Sequence, residues 1–574
     1  MASHAAPWRV RFIAFALALF ALLLVGRLYV LQVVRADEFL AEADHQYVRA
    51  DLRLFDRGTI FFTEKKGEVT AAAGLKSGFA IILDPMKVMD AERLLVALEP
   101  FLPLEREVFL AQARKEDDRY EELARRAPED LARRVEGLGF PELSVHREQW
   151  RFYPAASRAA QAIGFVAYDD SGTNLVGRYG LERFYEDVLR RDANSAHANF
   201  FAEIFTTIGA ALREGDTALR GDIVTSVEPS VQLALERELQ HIAERWGPRQ
   251  SGGLILNPQN GEIYALALAP SFDLNYSGAQ ADPQVFRNDL VSGVYEMGSI
   301  MKPLTVAAGL DAGVISATTT YYDAGFLELD GRKISNFDGK GRGTVPLQEV
   351  LNQSLNTGAA FVASRLGNRR LAEYFRAYGL GEETGIDLPA EAHGLIENLR
   401  SPRDIEYATA SFGQGIAVTP IAMVRALAAL GNGGRLVTPH LVTRIRYEGG
   451  LSKTISYRDE AQVISPEASE EISRMLVEVV DTALAGGAAK LPGYSIAAKT
   501  GTAQIANERG GGYDEERYLH SFFGYFPAYA PRFLVFFYTL EPQGASYASQ
   551  TLTKPFMDTV QFLINYYDVP PDRS

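Results

Sequence analysis

Cysteine is absent from this chain of 574 residues, and histidine occurs only eight times. Without cysteine the chain has no disulfides, no thiolate metal sites and no cysteine nucleophile. The histidines are scattered and show neither the i, i+4 pairing nor the HExxH pattern of a zinc site. The sequence therefore predicts no metal site, and we expect no cofactor.

An excess of basic residues is also lacking. The chain has 73 acidic and 58 basic residues, which gives a net charge of -15. No basic stripe offsets this total, and the charge argues against nucleic-acid binding. Hydrophobic residues make up 47% of the chain, a share typical of proteins that bury real cores. At this length we expect two to four domains.

One long apolar run lies near the N-terminus. Phe12–Val34 is apolar apart from Arg27 and Gln32, and a helix of this length spans a hydrocarbon core of about 30 Å. A cleaved signal peptide is the alternative, but no convincing small-x-small cleavage site follows the run. We predict a cytoplasmic tail at 1–11, a transmembrane signal anchor at 12–34, and a single-pass protein of the inner membrane whose remaining residues are extracytoplasmic.

The pattern changes near residue 219. Residues 35–218 include a charged region, Leu104 to Val135, whose apolar residues recur at helical spacing and predict amphipathic helices. Residues 219–567 alternate hairpin-like strands with helices, which indicates an α+β domain. The tail 568–574 is predicted to be disordered. Helices are predicted at 231–246, 302–312, 347–366 and 421–430, and strands at 252–256, 262–267, 494–498, 520–526 and 532–539.

Ser299 and Lys302 form a short motif at the predicted start of an apolar helix. Residues i and i+3 lie on the same side of a helix, so the Lys302 amine can reach the Ser299 hydroxyl. A lysine can deprotonate a serine when burial and neighbouring cations keep the amine neutral. The helix start also supplies backbone N–H groups where negative charge develops. Alone the S-x-x-K pattern has little specificity, because a chain this long contains about one by chance.

Two later motifs add polar groups in a fixed order. Ser354-Leu355-Asn356 supplies a second hydroxyl and an amide, and Lys499-Thr500-Gly501-Thr502 follows a predicted strand. A glycine there lets a substrate backbone lie close to an edge strand, and the lysine and hydroxyls suit a carboxylate. Each motif alone could be a helix surface or a strand end. Together the three motifs predict an active-serine acyl-transfer site with Ser299 as its nucleophile.

These motifs and their surroundings resemble the class B penicillin-binding proteins, the D,D-transpeptidases of bacterial cell-wall synthesis, nearly end to end. The resemblance implies the penicillin-binding transpeptidase fold, an antiparallel sheet flanked by helices at 219–567, and an elongated N-terminal pedestal domain of the dimerisation type at 35–218. The segments that carry it lie in both halves of the chain: Arg57-Gly58-Thr59-Ile60, Arg151-Phe152-Tyr153-Pro154, Gly180-Leu181-Glu182, Asn257-Pro258, Tyr295-Glu296-Met297-Gly298-Ser299, Thr384-Gly385-Ile386-Asp387 and Phe412-Gly413-Gln414-Gly415.

Some positions bear on the subtype or depart from the family pattern. Glu296 and Phe412 resemble the division-specific branch more than the elongation-specific branch. Met297 stands where the family usually has proline, and Ala498 stands where a glycine often precedes the lysine. The turn Lys65-Lys66-Gly67 replaces the usual Arg-Asn-Gly. Neither Met297 nor Ala498 removes a catalytic group.

The resemblance implies a role for each residue of the first two motifs. Ser299, deprotonated by Lys302, attacks the carbonyl between the two terminal D-alanines of a peptidoglycan stem peptide. Ser354 relays a proton to the departing D-alanine. Asn356 holds the substrate amide and helps to orient Lys302.

The third motif would bind the substrate. Lys499, Thr500 and Thr502 engage the terminal carboxylate beside Gly501, and the Thr502 N–H completes an oxyanion hole with that of Ser299. The resemblance also implies that a second stem peptide's amine then attacks the acyl-enzyme, and that β-lactam antibiotics acylate Ser299 for the same geometric reasons. The expected partners are a polytopic glycan polymerase and other membrane proteins of division or elongation.

Three alternatives share part of this pattern. A class A β-lactamase needs a glutamate after the S-x-N motif, and no E-x-x-L-N stretch follows Asn356. A D,D-carboxypeptidase fits the site but usually lacks such an N-terminal half. A non-catalytic scaffold of the same fold would not need all three motifs intact.

Overall fold

The computed structural model describes residues 55–115, 118–191, 220–280, 282–448, 450–457, 461–507 and 512–573, with a few residues between 12 and 27. Within these ranges no helix has both the length and the apolar character needed to cross a membrane. More than half of the predicted anchor at 12–34 lies outside the described residues, and the predicted tail at 1–11 lies wholly outside them.

The N-terminal half consists of strands and short helices. Its strands are β1 (Ile60–Thr63), β2 (Val69–Leu83), β3 (Glu121–Ala127), β4 (Leu143–Phe152), β5 (Val166–Tyr168) and β6 (Leu175–Gly177). Its helices are α1 (Ala91–Leu98), α2 (Arg106–Ala113), α3 (Glu129–Glu136), α4 (Ala160–Ile163), α5 (Gly180–Phe184) and α6 (Glu186–Leu189). Part of this half, from Ile81 to Val135, packs around its own hydrophobic core.

The C-terminal half is larger and mixes longer helices with strands. Its strands are β7 (Gly221–Thr225), β8 (Gln250–Leu256), β9 (Ile263–Ala269), β10 (Thr320–Asp323), β11 (Phe326–Leu329), β12 (Arg332–Ser335), β13 (Gly343–Pro346), β14 (Val442–Tyr447), β15 (Ser452–Thr454), β16 (Ala497–Ala506), β17 (Tyr513–Phe526) and β18 (Phe533–Leu540). Its helices are α7 (Pro229–Trp246), α8 (Asp289–Ser292), α9 (Lys302–Asp311), α10 (Gln348–Asn352), α11 (Asn356–Leu366), α12 (Asn368–Ala377), α13 (Asp404–Ala410), α14 (Pro420–Ala428), α15 (Pro466–Glu478) and α16 (Ala548–Tyr567).

A five-stranded antiparallel sheet forms the centre of this half, with the strand order β16-β17-β18-β8-β9. Alternate residues of each strand point to opposite faces. Ile255 and Phe537 face a core with α7 and α16, whereas Leu254 and Phe536 belong to the larger core that contains α9. Helices therefore cover both faces, and the predicted α+β architecture is confirmed.

Helix α7 shows how the local sequence determines where a helix begins, which face it buries and where it ends. The Glu228 carboxylate accepts a hydrogen bond from Val231 N at 2.6 Å, and Pro229 occupies the first turn. Buried residues recur at i, i+4 and i+8 from Val231, which gives one apolar face. Gly247 ends the helix with a φ of 47°, a left-handed conformation that glycine adopts without strain.

A second sheet joins the two halves of the chain. Its strands run in the order β15-β14-β7-β1-β2-β3, and β4 also pairs with β2. Strand β1 pairs in parallel with β7, so Ile60 lies opposite Ile223. Hydrogen bonds of this sheet therefore connect strands from both of the predicted domains, 35–218 and 219–567.

Two predicted elements are wrong in detail. The region from Leu104 to Val135 contains helices α2 and α3, but β3 lies between them because it pairs with β2 along Ile81 and Ala124. The predicted helix 347–366 is broken between α10 and α11, where Ser354 has a φ of 53°. Both differences come from tertiary contacts that override a local helical pattern.

The tail that we expected to be disordered instead makes specific contacts as far as Arg573. Val569 is buried in the core around α7 and α16. The Asp572 carboxylate accepts a hydrogen bond from Ser495 N at 2.8 Å, and Arg573 forms an ion pair with Asp481 at 2.6 Å. These partners hold residues 569–573 against the domain.

A buried ion cluster connects three segments of the N-terminal half. Glu182, at the start of α5, lies 2.6 Å from Arg57 Nε and 2.6 Å from Arg151 Nε. All three side chains are buried, and Tyr153 also donates to Glu182 at 3.2 Å. Burial alone would raise the pKa of Glu182, but the guanidiniums of Arg151 and Arg57 outweigh burial and hold this pKa below its ordinary value.

We expect Glu182→Ala to destabilise the protein by about 3 kcal/mol or more, because it leaves two buried guanidiniums without their shared carboxylate. The measurement is the denaturant midpoint of the full chain, followed by tryptophan fluorescence. The matched control is Glu129→Ala, which removes an exposed partner of Arg133 and leaves the midpoint almost unchanged. Equal shifts in the two variants would contradict a special role for the buried cluster.

Candidate active site

Ser299 lies on a single 3-10 turn, Gly298–Met301, that leads directly into α9. Residues Lys302 to Gly309 of α9 are all buried, so the helix passes through the interior of the domain. Gly298 has a φ of 62°, and a Cβ at this position would lie 2.7 Å from Thr502 O. A side chain is excluded there, and the serine turn can therefore pack directly against β16.

Gly501 permits the same close approach from the side of the strand. A Cβ at Gly501 would lie 2.3 Å from Ser521 Oγ and 2.8 Å from Met297 O. The sequence predicts that this glycine lets a substrate backbone lie close to the strand. In the structure the neighbours that leave no room for a side chain are the protein's own Ser521 Oγ on β17 and the carbonyl of Met297, which directly precedes the serine turn.

The break between α10 and α11 places Ser354 against Lys302. Lys302 Nζ donates to Ser354 O at 2.6 Å and lies 3.1 Å from Ser354 Oγ. The same amine lies 3.0 Å from Ser299 Oγ. The left-handed backbone of Ser354 turns both its carbonyl and its hydroxyl toward the amine, so the three side chains meet at hydrogen-bond distance.

Lys499 completes this group from β16. Its Nζ donates to Ser354 Oγ at 3.1 Å and to Thr500 O at 3.0 Å. The predicted strand 494–498 in fact begins at Ala497 and continues to Ala506, so the Lys499–Thr502 motif lies inside the edge strand of the central sheet. Ser354 Oγ thus lies between the two lysine amines.

Burial controls the protonation of both lysines. Lys302 is fully buried and Lys499 is 3% exposed. Burial lowers the pKa of Lys302 well below its ordinary value of 10.5, and the nearby charge of Lys499 lowers this pKa further. Burial also lowers the pKa of Lys499, to about 7. The arrangement therefore favours a neutral Lys302 that can accept a proton from the Ser299 hydroxyl.

The remaining predicted site residues lie around the same cavity. Asn356 Nδ2 donates to Ser335 O at 2.9 Å, whereas the Lys302 amine is oriented by Ser354 O. Thr502 Oγ1 accepts a hydrogen bond from Ala548 N, the first residue of α16, at 3.1 Å. Thr500 and Thr502 both line the cavity, which has a volume of about 1240 Å³.

Sequence reasoning missed residues that support the serine turn. Ser521 Oγ, on β17, donates to Met297 O at 2.9 Å. Glu296, noted only as a mark of subtype, accepts hydrogen bonds from Gly415 N at 2.9 Å and from the Tyr513 hydroxyl at 3.2 Å. The position of Glu296 beside the serine motif could have indicated this supporting role, but its hydrogen-bond partners are far away in the sequence.

Sequence comparison identifies a known domain in the region that holds this site. Residues 252–560 match the penicillin binding protein transpeptidase domain. The chain is 32% identical over 475 residues to the probable peptidoglycan D,D-transpeptidase FtsI of Caulobacter vibrioides, an alignment that covers 81% of this chain and 73% of the relative. It is 29% identical over 514 residues to the stage V sporulation protein D of Bacillus subtilis, with coverage of 87% and 78%.

Structure comparison agrees with this match at the level of the fold. The crystal structure of penicillin binding protein 2X from Streptococcus thermophilus aligns with a TM-score of 0.73 and 20% sequence identity. The alignment covers 90% of this chain and 81% of that chain. The fold implied by the sequence resemblance, a penicillin-binding transpeptidase fold, is thereby confirmed.

The lowered pKa values of the two lysines predict a bell-shaped pH dependence for acylation of Ser299 by a β-lactam. Lys302 acts as a base only above its own lowered pKa, and Lys499 is a cation only below about pH 7. The second-order rate of acylation, which reports the free enzyme, is expected to rise with pH and then fall near pH 7.

In Lys499→Arg the side chain stays charged, and we expect the alkaline limb of this profile to move to higher pH. Lys453→Arg, on the exposed strand β15, is the control and keeps the profile of the unchanged protein. An alkaline limb that does not move in Lys499→Arg would assign this limb to another group.

Proposed function

The chain belongs to the class B penicillin-binding proteins, the peptidoglycan D,D-transpeptidases, and from this membership we propose that it crosslinks stem peptides by a serine acyl-enzyme mechanism in septal wall synthesis. The observation that carries the mechanism is the contact between three side chains. Lys302 Nζ lies 3.0 Å from Ser299 Oγ and 3.1 Å from Ser354 Oγ. This is the geometry required for a base, a nucleophile and a proton relay.

Acylation begins when the neutral Lys302 amine takes the proton of the Ser299 hydroxyl. Ser299 Oγ then forms a bond to the carbonyl carbon between the two terminal D-alanines, and the carbonyl oxygen becomes an oxyanion. The N–H groups of Ser299 and Thr502 stabilise this oxyanion. The close packing of Gly298 against Thr502 O supports this pairing because it holds the serine turn beside β16.

Collapse of the intermediate breaks the bond to the terminal D-alanine. The proton passes from the Lys302 ammonium through the Ser354 hydroxyl to the departing amine, and D-alanine leaves. The Lys499 cation, with Thr500 and Thr502, binds the terminal carboxylate before this step. Asn356, held by Ser335 O at 2.9 Å, binds the substrate amide.

The second half-reaction transfers the acyl group. The neutral amine of an acceptor stem peptide attacks the ester carbonyl, forms the new amide bond and returns the Ser299 hydroxyl. The proton of the amine passes through the Ser354 hydroxyl to Lys302, and Lys302 returns a proton to Ser299 Oγ. Penicillin follows the same reaction steps. Ser299 Oγ attacks the β-lactam carbonyl and opens the ring, and the leaving nitrogen remains attached to the acyl-enzyme.

Labelling of membranes with fluorescent penicillin tests the nucleophile. We expect the unchanged protein to take up the label and Ser299→Ala to lose it entirely, since the variant lacks the attacking hydroxyl and the hydroxyl that remains beside Lys302, that of Ser354, acts as the proton relay. The control is Ser364→Ala, on the exposed face of α11, which keeps the label. An unlabelled native protein would contradict the proposal and favour a scaffold of the same fold.

The role in division, the anchor and the partners are part of the same proposal. Glu296 and Phe412 support the division-specific branch, and so does the similarity to a relative named FtsI. The apolar segment 12–34 supports a single-pass anchor in the inner membrane, with the pedestal 35–218 and the transpeptidase domain 219–567 outside. Anchor and pedestal would dock a polytopic glycan polymerase.

Depletion of the protein in a rod-shaped host distinguishes the two branches. We expect filaments, because elongation continues while septal crosslinking fails. Complementation with the native gene restores normal length, and complementation with the Ser299→Ala variant does not. Round cells on depletion would instead assign the protein to elongation.

A further inference from the structure

The catalytic cavity extends well beyond the reacting groups. Its lining includes Ser299, Ser354 and Lys499 and also the whole of strand β12. Arg332 and Lys333, the first two residues of β12, are part of this lining. The mechanism described above uses neither of them.

The charge of the cavity is opposite to that of the whole protein. Its lining contains four basic side chains, Arg332, Lys333, Arg403 and Lys499, and one acidic side chain, Glu406. Arg403 forms an ion pair with Glu406, so this acid is already neutralised. In a chain with a net charge of -15, a cavity with a local excess of cations attracts an anionic ligand.

Arg332 and Lys333 are the cations of this lining that remain available. Among the described residues, neither has a carboxylate within ion-pair distance. Lys333 lies opposite Glu328 in the hairpin, but its Nζ sits 4.2 Å from the centroid of the Phe326 ring. This contact with an aromatic face holds the ammonium in place without neutralising it.

The hairpin that carries these cations is fixed to the domain. Ile334 is 6% exposed and Asn336 is 3% exposed. The neighbouring acid, Asp330, accepts a hydrogen bond from Ile405 N at 2.9 Å and thereby attaches the hairpin to α13. Asn336 Nδ2 donates to both oxygens of the buried Asp323 at 3.0 Å. A charge on a fixed element binds a ligand at a lower entropic cost than one on a loose loop.

The distance along β12 indicates which part of a ligand would reach the cations. Ser335 O accepts a hydrogen bond from Asn356, the residue that binds the substrate amide in the proposed mechanism. Arg332 lies three residues earlier on the same strand, which is about 10 Å at about 3.3 Å per residue. An extended peptide covers this distance with two or three residues.

We propose that Arg332 and Lys333 form a carboxylate-binding subsite for the peptide substrate, two or three residues before the scissile bond. The inference rests on the proposed transpeptidase function and adds a substrate class to it. The subsite selects peptides with free carboxylates at these positions over the same peptides with the carboxylates amidated, because an amide offers no negative charge.

The test is protection of Ser299 from fluorescent penicillin by two synthetic peptides in the full-length protein. Both end in D-alanyl-D-alanine and differ only in whether the upstream carboxylates are free or amidated. We expect half-protection by the free-acid peptide at about one tenth of the concentration that the amidated peptide needs. In the double variant Arg332→Gln with Lys333→Gln, this ratio is expected to fall close to one.

The control removes two charges elsewhere. Lys340→Gln combined with Lys453→Gln changes the net charge equally at two positions that do not line the cavity, and it keeps the native ratio. Each protein's labelling without peptide is its own reference, so a misfolded variant is recognised by its lack of label. Equal protection by the two peptides in the native protein would overturn the subsite. Complete absence of labelling there would instead overturn the proposed function.

Discussion

The site depends on a lysine amine that is held in the interior and has no carboxylate beside it among the residues that the structure describes. Lys302 lies at the start of a fully buried helical segment, and its amine is surrounded by the Ser299 and Ser354 hydroxyls and one carbonyl. An ion pair would have kept the amine charged and useless as a base. The protein instead places a second lysine nearby, and the repulsion between like charges favours the neutral form of Lys302.

Several other features follow from this constraint. The amine still needs hydrogen-bond acceptors, because a buried polar group without partners is costly. Ser354 provides two of them, but only with a left-handed backbone that serine rarely adopts. Glycines at 298 and 501 allow the serine turn and β16 to touch, and Ser521 fixes this contact through Met297 O. The contacts that offset the free-energy cost of burying the lysine amine thus come from Ser354, the serine turn and β16.

The three motifs and the α+β architecture could be predicted from the sequence, since they depend on local spacing and on a strong family pattern. The break at Ser354 could not, because residues 347–366 have helical periodicity and the partner of Ser354 at the break is Lys302, which lies on another helix. Strand β3 was missed for a similar reason. Its charged residues fit an amphipathic helix, and only pairing with β2 makes it a strand. The role of Glu296 required knowledge of Gly415 and Tyr513, which lie far away in the sequence.

The sheet shared by the two halves has a consequence for the order in which the chain folds. Strand β7 pairs with β1 on one side and with β14 on the other, and the hydrogen bond from Thr443 to Val224 O spans 219 residues. Synthesis runs from the N-terminus, so β1 and β7 exist long before β14 is made. Until then β7 presents an open edge, which invites mispairing and makes closure of this sheet a slow, late event in maturation.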